Sequence, residues 1–281
     1  MVIKNDLFFK AAKKLFFAAL FFFIIVGSFF LAGCQSRSEK LYNEAYEKIN
    51  QNQFKEAVLL LQSSAELENN NIKKTKALFE AARLLRFEIQ DYNEALIHLR
   101  IVVLTSEDEK MRLLAQESIC EIYFDHLQNY QEALKELLIL EPLLPESKKK
   151  HALRLKTAQS QHLSGNNQAA LEYIDSALKI LSTDSNPFLK LKAQVLQAEN
   201  KFDEALKIYD LIYAKDTKYF ISENLFYATS AIHEEKKEYK LGLEYLEKHA
   251  SEIADKYYLE LRTKKLKEKQ INKPFTKGVR K

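Results

Sequence analysis

Glycine and proline are both scarce in this chain, five and four residues among 281. A β fold built from many short strands needs such residues at its turns, so their shortage excludes one and leaves an all-α protein. From residue 34 onward the glycines are Gly165, Gly242 and Gly278. A phosphate-cradling loop needs several glycines just ahead of a helix, which excludes nucleotide binding of the Rossmann or P-loop kind. No Gly-x-Ser-x-Gly turn is present to expose a nucleophilic serine. The six histidines are His98, His126, His151, His162, His233 and His249. No two stand four residues apart and no His-Glu-x-x-His occurs, so no metal is assigned. Only His151 and His162, eleven apart, were set to share a helix face.

Net charge is low, at +4, but it is segregated. Residues 1–33 carry +3, residues 262–281 carry +8, and the stretch between carries −7. An acidic body with a basic tail argues against nucleic acid as a partner. The hydrophobic content of 47% is ample for a core.

What the chain does have is one phrase written many times. Gln53-Phe54-Lys55-Glu56-Ala57 returns as Asp91-Tyr92-Asn93-Glu94-Ala95, Asn129-Tyr130-Gln131-Glu132-Ala133 and Lys201-Phe202-Asp203-Glu204-Ala205. Looser copies are Asn166-Asn167-Gln168-Ala169-Ala170 and Glu238-Tyr239-Lys240-Leu241-Gly242. The small closing residue steps by 38, 38, 37, 35 and 37, the period of a solenoid. A second small column lies upstream at Ala45, Ala82, Cys120, Ala158, Ala193 and Ser230. Two small residues per unit, on successive helices, let a pair of backbones approach closely. The columns are 13 residues apart in units two and three and 12 elsewhere, so the extra residue belongs near the helix–helix turn. Cys120 sits in a column otherwise filled by Ala or Ser, which makes it a packed core atom.

This pattern resembles the tetratricopeptide repeat, a helix-turn-helix unit of about 34 residues with alanines and aromatics at fixed places. The resemblance implies a right-handed α-solenoid of about six units, near 38–71, 75–109, 113–147, 151–184, 186–220 and 223–250. Residues 251–269 are then a capping helix, and 270–281 a basic, disordered tail. Ser251 would open the last helix, with Tyr257, Tyr258 and Leu261 facing the last unit. Pro142 and Pro145 end the second helix of unit three, and 142–150 is either a hinge or a plain connection. Asn186 reads as a helix cap, with Pro187 at the first helical position.

In that family the first helix of each unit lines the concave surface. Counting from the small columns places Tyr42, Tyr46, Asn50, Phe79, Arg83, Arg86 and Phe87 there. Glu117, Glu121, Phe124 and Asp125 follow, then Gln159, His162, Lys190, Gln194, Gln197, Tyr227 and Glu234. Aromatic anchors beside Arg and Asn suit capture of a protein or peptide. Glu117, Glu121 and Asp125 form one acidic stripe. It is either half of a salt-bridge ladder with Arg83 and Arg86 or a reader of a partner's basic segment.

The N-terminus carries a separate message. Residues 1–14 are short and basic, and 15–33 are almost wholly apolar, as in an export signal. Leu31-Ala32-Gly33-Cys34 resembles the lipobox of bacterial lipoproteins. The resemblance implies a diacylglycerol on the Cys34 thiol, cleavage just before it, and acylation of the new amine. The alternative is an uncleaved membrane-spanning anchor. Gln35 follows where an Asp would favour inner-membrane retention, so the outer membrane is expected, on its periplasmic face.

Together these readings predict a non-catalytic adaptor in the cell envelope, with no cofactor beyond the lipid on Cys34. Three lipoprotein types are similar in plan: pilotin-like proteins of type IV pilus secretins, the accessory subunit of the β-barrel assembly machine, and adaptors of peptidoglycan hydrolases. The length sits nearest the pilotin-like type. The alternatives are a tether joining membrane to cell wall through the basic tail, and a glycan-acting enzyme using paired carboxylates.

Overall fold

The structure, a computed structural model, describes residues 36–181 and 185–271. The expected export signal, Cys34 and the end of the basic tail lie outside the described residues. Fourteen α-helices succeed one another among the described residues. The first pairs are α1 (Arg37–Asn50) with α2 (Phe54–Leu67), and α3 (Asn71–Leu84) with α4 (Tyr92–Thr105). Then come α5 (Glu109–Glu121) with α6 (Tyr130–Leu140), α7 (Lys148–Leu163) with α8 (Asn167–Ile180), and α9 (Asn186–Ala198) with α10 (Phe202–Lys215). A short α11 (Thr217–Ser222) precedes α12 (Leu225–Glu235) and α13 (Tyr239–Lys248), and α14 (Lys256–Ile271) closes the chain. No strand occurs among the described residues. The chain divides into two compact bodies, residues 1–115 and 116–281, with the cut inside α5.

Both small columns are interior in every pair. Ala45, Ala82, Ala158, Ala193 and Ser230 are fully covered and Cys120 nearly so. Ala57, Ala95, Ala133, Ala170 and Ala205 are covered as completely. Unit six compensates for its Ser by placing Gly242 opposite. A methyl group there would stand 3.2 Å from both the Ser230 carbonyl oxygen and His233 Cβ, so an Ala would force that helix pair apart by a few tenths of an ångström. Burial of the larger residues supplies the stability, each fully covered Leu contributing roughly 1.5–3 kcal/mol. In the first body these include Leu61, Leu84, Leu85 and Leu99. In the second, one apolar cluster holds Phe188, Tyr209, Ile212, Phe220 and Phe226.

The turn between the helices of each pair follows one rule. The residue just before each repeated phrase has positive φ: Asn52 57°, Gln90 62°, Gln128 49°, Gly165 85°, Asn200 57° and Lys237 61°. A left-handed residue there ends the first helix and lets the next backbone N–H turn back onto it. That N–H reaches the carbonyl five residues earlier in four units: Gln53 to Lys48, Asn166 to Gln161, Lys201 to Leu196 and Glu238 to His233, at 2.8–2.9 Å. In units two and three it reaches six residues back, Asp91 to Leu85 and Asn129 to Tyr123, both at 2.9 Å. Those two units end their first helix in a π turn, Leu85–Ile89 and Ile122–His126. The extra residue is thus absorbed as a single wide turn, which keeps the closing hydrogen bond and both small columns in register.

A side chain with a Cβ adopts the left-handed region at a cost of roughly 1–2 kcal/mol, less for Asn. Gln90→Gly is therefore expected to raise stability by up to about 1 kcal/mol, seen as a higher urea midpoint at unchanged slope. A lower midpoint would mean that the Gln90 side chain contributes more than its backbone costs.

Two expectations are corrected. The last helix opens at Lys256, not Ser251, because Asp255 accepts the Tyr258 N–H at 2.8 Å and caps it. Of the three residues expected to face the last unit, Tyr258 does, its ring 4.6 Å from that of Tyr227, whereas Tyr257 is 73% exposed and Leu261 46%; the residue that the helix buries is Leu266. Asn186 is the first residue of α9 and does not cap it; its amide donates to Asp216 Oδ2 at 3.0 Å. Of the two readings of 142–150, the contacts support the plain connection. Pro142 opens a 3-10 turn over Glu141–Leu143, and buried Arg154 reaches back to Glu141 at 3.0 Å and to Glu146 at 2.6 and 3.2 Å. Lys150 Nζ also donates to the Leu144 carbonyl at 2.9 Å.

Candidate functional site

In the first body the expected residues lie on α1, on α3 and on the π turn that extends α3. Tyr42 and Tyr46, four apart on α1, share one face. Their hydroxyls are 3.1 Å apart and their rings 5.1 Å. Burial, then the bond to Tyr46, pushes the Tyr42 hydroxyl well above the usual phenol range. Lys76 Nζ lies 5.7 Å from the Tyr42 ring centre. A cleft of about 220 Å³ opens beside it, lined among others by Glu39, Tyr42, Ser64, Glu68, Lys73 and Lys76. Asn50 is exposed at the end of α1, and Phe79 is half-buried on α3. Arg83 spends its guanidinium on Glu80 of its own helix, at 3.0 Å. The π turn sets Arg86 over the Phe87 ring at 4.5 Å. Arg86 is buried there while Phe87 remains 54% exposed.

In the second body the acidic stripe is largely spoken for. Glu117 pairs with Lys149 at 2.5 Å and Asp125 with Lys156 at 2.7 Å, both lysines coming from α7. The ladder expected to run from this stripe toward Arg83 therefore runs, for Glu117 and Asp125, to the next first helix instead. Glu121 is half-buried between them. Phe124 carries Lys156 over its ring at 4.9 Å and meets Tyr130 edge-on at 5.6 Å. Gln159 and His162 are half-buried on α7, and His162 Nδ1 is 2.7 Å from Asn167. His151 bonds Glu146 at 2.8 Å, so the two histidines have separate partners. Gln194 is exposed on α9. Lys190 reaches Glu223 at 2.6 Å and Gln197 reaches Glu235 at 2.8 Å.

Two expected residues are withdrawn from the binding surface. Glu234 accepts Arg262 and Lys269 of α14. Burial alone would raise its pKa, but the Lys269 bond and the charge of Arg262 outweigh that and hold it below the usual carboxylate range. Tyr227 stacks edge-on to Tyr258 at 4.6 Å, and its hydroxyl donates to the Asp255 carbonyl at 3.1 Å. The last helix thus occupies the face of α12. It also means that Arg262 and Lys269, counted above with the basic tail, are structural.

Cys120 is 3% exposed in its small column. Burial, then the nearby Glu136 carboxylate, pushes its thiol up to about 12, so it is inert to thiol reagents while the protein is folded. Among the described residues no group of three or more His, Cys, Asp or Glu is placed to hold a metal ion. None of their helices is long and apolar enough to cross a membrane.

No family model matches this chain, and no curated protein matches it either. Solved structures do. A tetratricopeptide repeat protein from Parabacteroides merdae matches 83% of this chain and 87% of its own, with a TM-score of 0.57 at 17% identity. The chain has the tetratricopeptide-repeat fold. A second structure, Naa15/Naa10 bound to HypK-THB, matches 82% of this chain with the same TM-score of 0.57 at 12% identity. This chain covers 34% of that longer one. With the fold settled, α1, α3, α5, α7, α9 and α12 are the first helices of tetratricopeptide units.

Reading the sequence missed the lysines that dress this surface. Lys76 lies three residues before Phe79, and Lys149 and Lys156 stand 32 and 31 residues after Glu117 and Asp125. Both separations fall short of the 35–38 residue repeat, so no register along the chain marks these partners. The carboxylates engaged in such contacts are a source of acid sensitivity. Lys236 bonds hold Asp203, an Arg154 bond holds Glu146, a His233 bond holds Glu238, and a His249 bond holds Glu252, all below the usual range. Their folded pKa values lie below the unfolded ones, so the stability they confer is present above about pH 4.3 and is lost as pH falls through the folded values. Burial lowers the pKa of His98, so the urea midpoint is expected to fall first below about pH 6.5 and then more steeply below about pH 4.3 as these carboxylates protonate. A midpoint with no such steeper fall by about pH 3 would contradict the pairing.

Proposed function

We propose that this protein is a lipid-anchored, non-catalytic adaptor on the periplasmic face of the outer membrane, presenting first-helix surface to another envelope protein or to a peptide. The observation that carries the reading is Phe87. A large aromatic ring more than half exposed, braced by a guanidinium at 4.5 Å on a rigid helix end, is what an interface anchor requires. Naa15/Naa10, which shares the fold, was solved bound to HypK-THB. Leu31-Ala32-Gly33-Cys34 supports the lipid and Gln35 the outer membrane. Among lipoproteins with such repeats the pilotin-like type remains the nearest in plan, and fold by itself does not choose among them.

The test is cross-linking and capture of the lipidated protein from membranes, compared with a variant carrying Arg83→Glu and Phe87→Ala. Both side chains are exposed, so the variant is expected to fold with stability within about 1 kcal/mol of the parent. Loss of a specific cross-linked species supports the adaptor. An unchanged set of species means that this surface is not the binding face.

A further inference from the structure

We propose that the end of the first two helix pairs at which the chain enters them rests on the lipid surface, with Leu67, Ile72 and Leu104 inserted among the headgroups. The inference rests on the lipid-anchor reading of Cys34. Four helix ends are tied together at this place. Ser38 Oγ donates to Glu68 at 2.7 Å and Ser64 Oγ to the Ser38 carbonyl at 2.7 Å, which joins the start of α1 to the end of α2. Asn71 Nδ2 donates to the Thr105 carbonyl at 2.8 Å and the Glu107 N–H to Asn71 Oδ1 at 3.0 Å, which joins the start of α3 to the end of α4. Glu68 and Asn71 are three residues apart, so the two joints are one locus.

Water meets three large aliphatic side chains at that locus. Leu67 is 47% exposed, Ile72 51% and Leu104 81%. The opposite end of the same helices turns through polar Gln51-Asn52-Gln53 and Gln90-Asp91, beside one exposed aromatic ring, that of Phe87. Lys73 and Lys76, on the first turns of α3, make no side-chain hydrogen bond or ion pair among the described residues, and both line the cleft that opens there. Their ammonium groups are in place for lipid phosphates.

The tether decides the occupant. Ser36 is two residues from Cys34, and an extended chain spans at most about 3.5 Å per residue. A lipid on Cys34 therefore holds the start of α1 within roughly 10 Å of the bilayer. Nothing else among the described residues is so constrained, and three exposed aliphatics stand at that same end. Glu66 and Glu107 stand there too, so insertion of apolar side chains, not net positive charge, drives the docking. It is expected to survive raised salt, which screens charge and leaves hydrophobic insertion in place.

The experiment uses the full chain, lipidated in its own host and reconstituted in vesicles of phosphatidylethanolamine and phosphatidylglycerol. Leu104→Cys and, separately, Ile72→Cys carry an environment-sensitive fluorophore, with Asn52→Cys as the control at the opposite end. Buried Cys120 does not compete for the label. The fluorophores at 104 and 72 are expected to shift to the blue and to be quenched by nitroxide lipids, at low and raised salt alike, while that at 52 does neither. Unshifted, unquenched labels at 104 and 72, with the lipid confirmed on Cys34 by mass, overturn the docking and leave the anchor standing. An unlipidated Cys34 overturns both.

Discussion

Phe226→Ala is expected to cost about 3–5 kcal/mol, the range for removing a large aromatic side chain from a closed core. Phe226 is 2% exposed. Its ring meets Phe220 at 4.9 Å, His249 at 5.1 Å, Tyr213 at 6.2 Å and Tyr245 at 6.4 Å. Those partners come from α10, α11, the end of α13 and α13 itself, so one ring fastens the inserted α11 into the sixth unit. Phe220, Tyr213 and His249 cannot fill the space without giving up edge-on contacts of their own, and Tyr213 would also give up its hydroxyl's bond to Glu252 at 2.9 Å. In a repeat array the loss stays with its neighbours. Hydrogen-exchange protection is expected to collapse across α10–α14 while α1–α4 keep theirs. A small, uniform loss along the whole chain would mean that the cluster is not the fastening described.

Cys34→Ser is expected to abolish incorporation of labelled palmitate and to leave a precursor longer by residues 1–33. The resemblance of Leu31-Ala32-Gly33-Cys34 to a lipobox implies that the thiol is acylated first and that cleavage depends on it. Without a thiol neither occurs, and the apolar run 15–33 stays attached and holds the chain at a membrane. A second arm separates the two kinds of attachment. Placing Gln35 directly behind a cleavable export signal removes both, and the protein is expected in the soluble periplasmic fraction. The lipid's strength motivates the contrast, since each buried methylene contributes about 0.8 kcal/mol and several chains anchor stably where one does not. Parent protein that still carries residues 1–33 would sink the lipoprotein reading.

Several structural features were legible because a repeat exposes them by register. The two small columns pointed to close helix contacts, and all twelve positions are interior. The 13-residue gap in units two and three marked where each chain carries one residue too many, and the π turns stand there. The left-handed turn residue has a local sign at Gly165, Asn52 and Asn200, since Gly and Asn tolerate that conformation. Gln90, Gln128 and Lys237 gave no local sign, because tertiary closure of the turn imposes positive φ on whatever residue is present. The surface was legible in position and not in availability. Tyr46 and Phe87 are exposed as expected, whereas Glu117, Asp125, Tyr227 and Glu234 have partners within the chain.

Sequence alone determined the helix pairs, their number and the columns on which they close, because spacing between small residues is a one-dimensional quantity that packing must honour. The proposed lipid attachment rests on the sequence alone, on Leu31-Ala32-Gly33-Cys34. Only tertiary structure decided which charges of the first helices stay free, where the last helix begins and which face it covers. Those outcomes depend on side chains distant along the chain meeting in space, as Arg262 and Lys269 do at Glu234. A charge's partner is set by distance in three dimensions, and no period along the chain reports it.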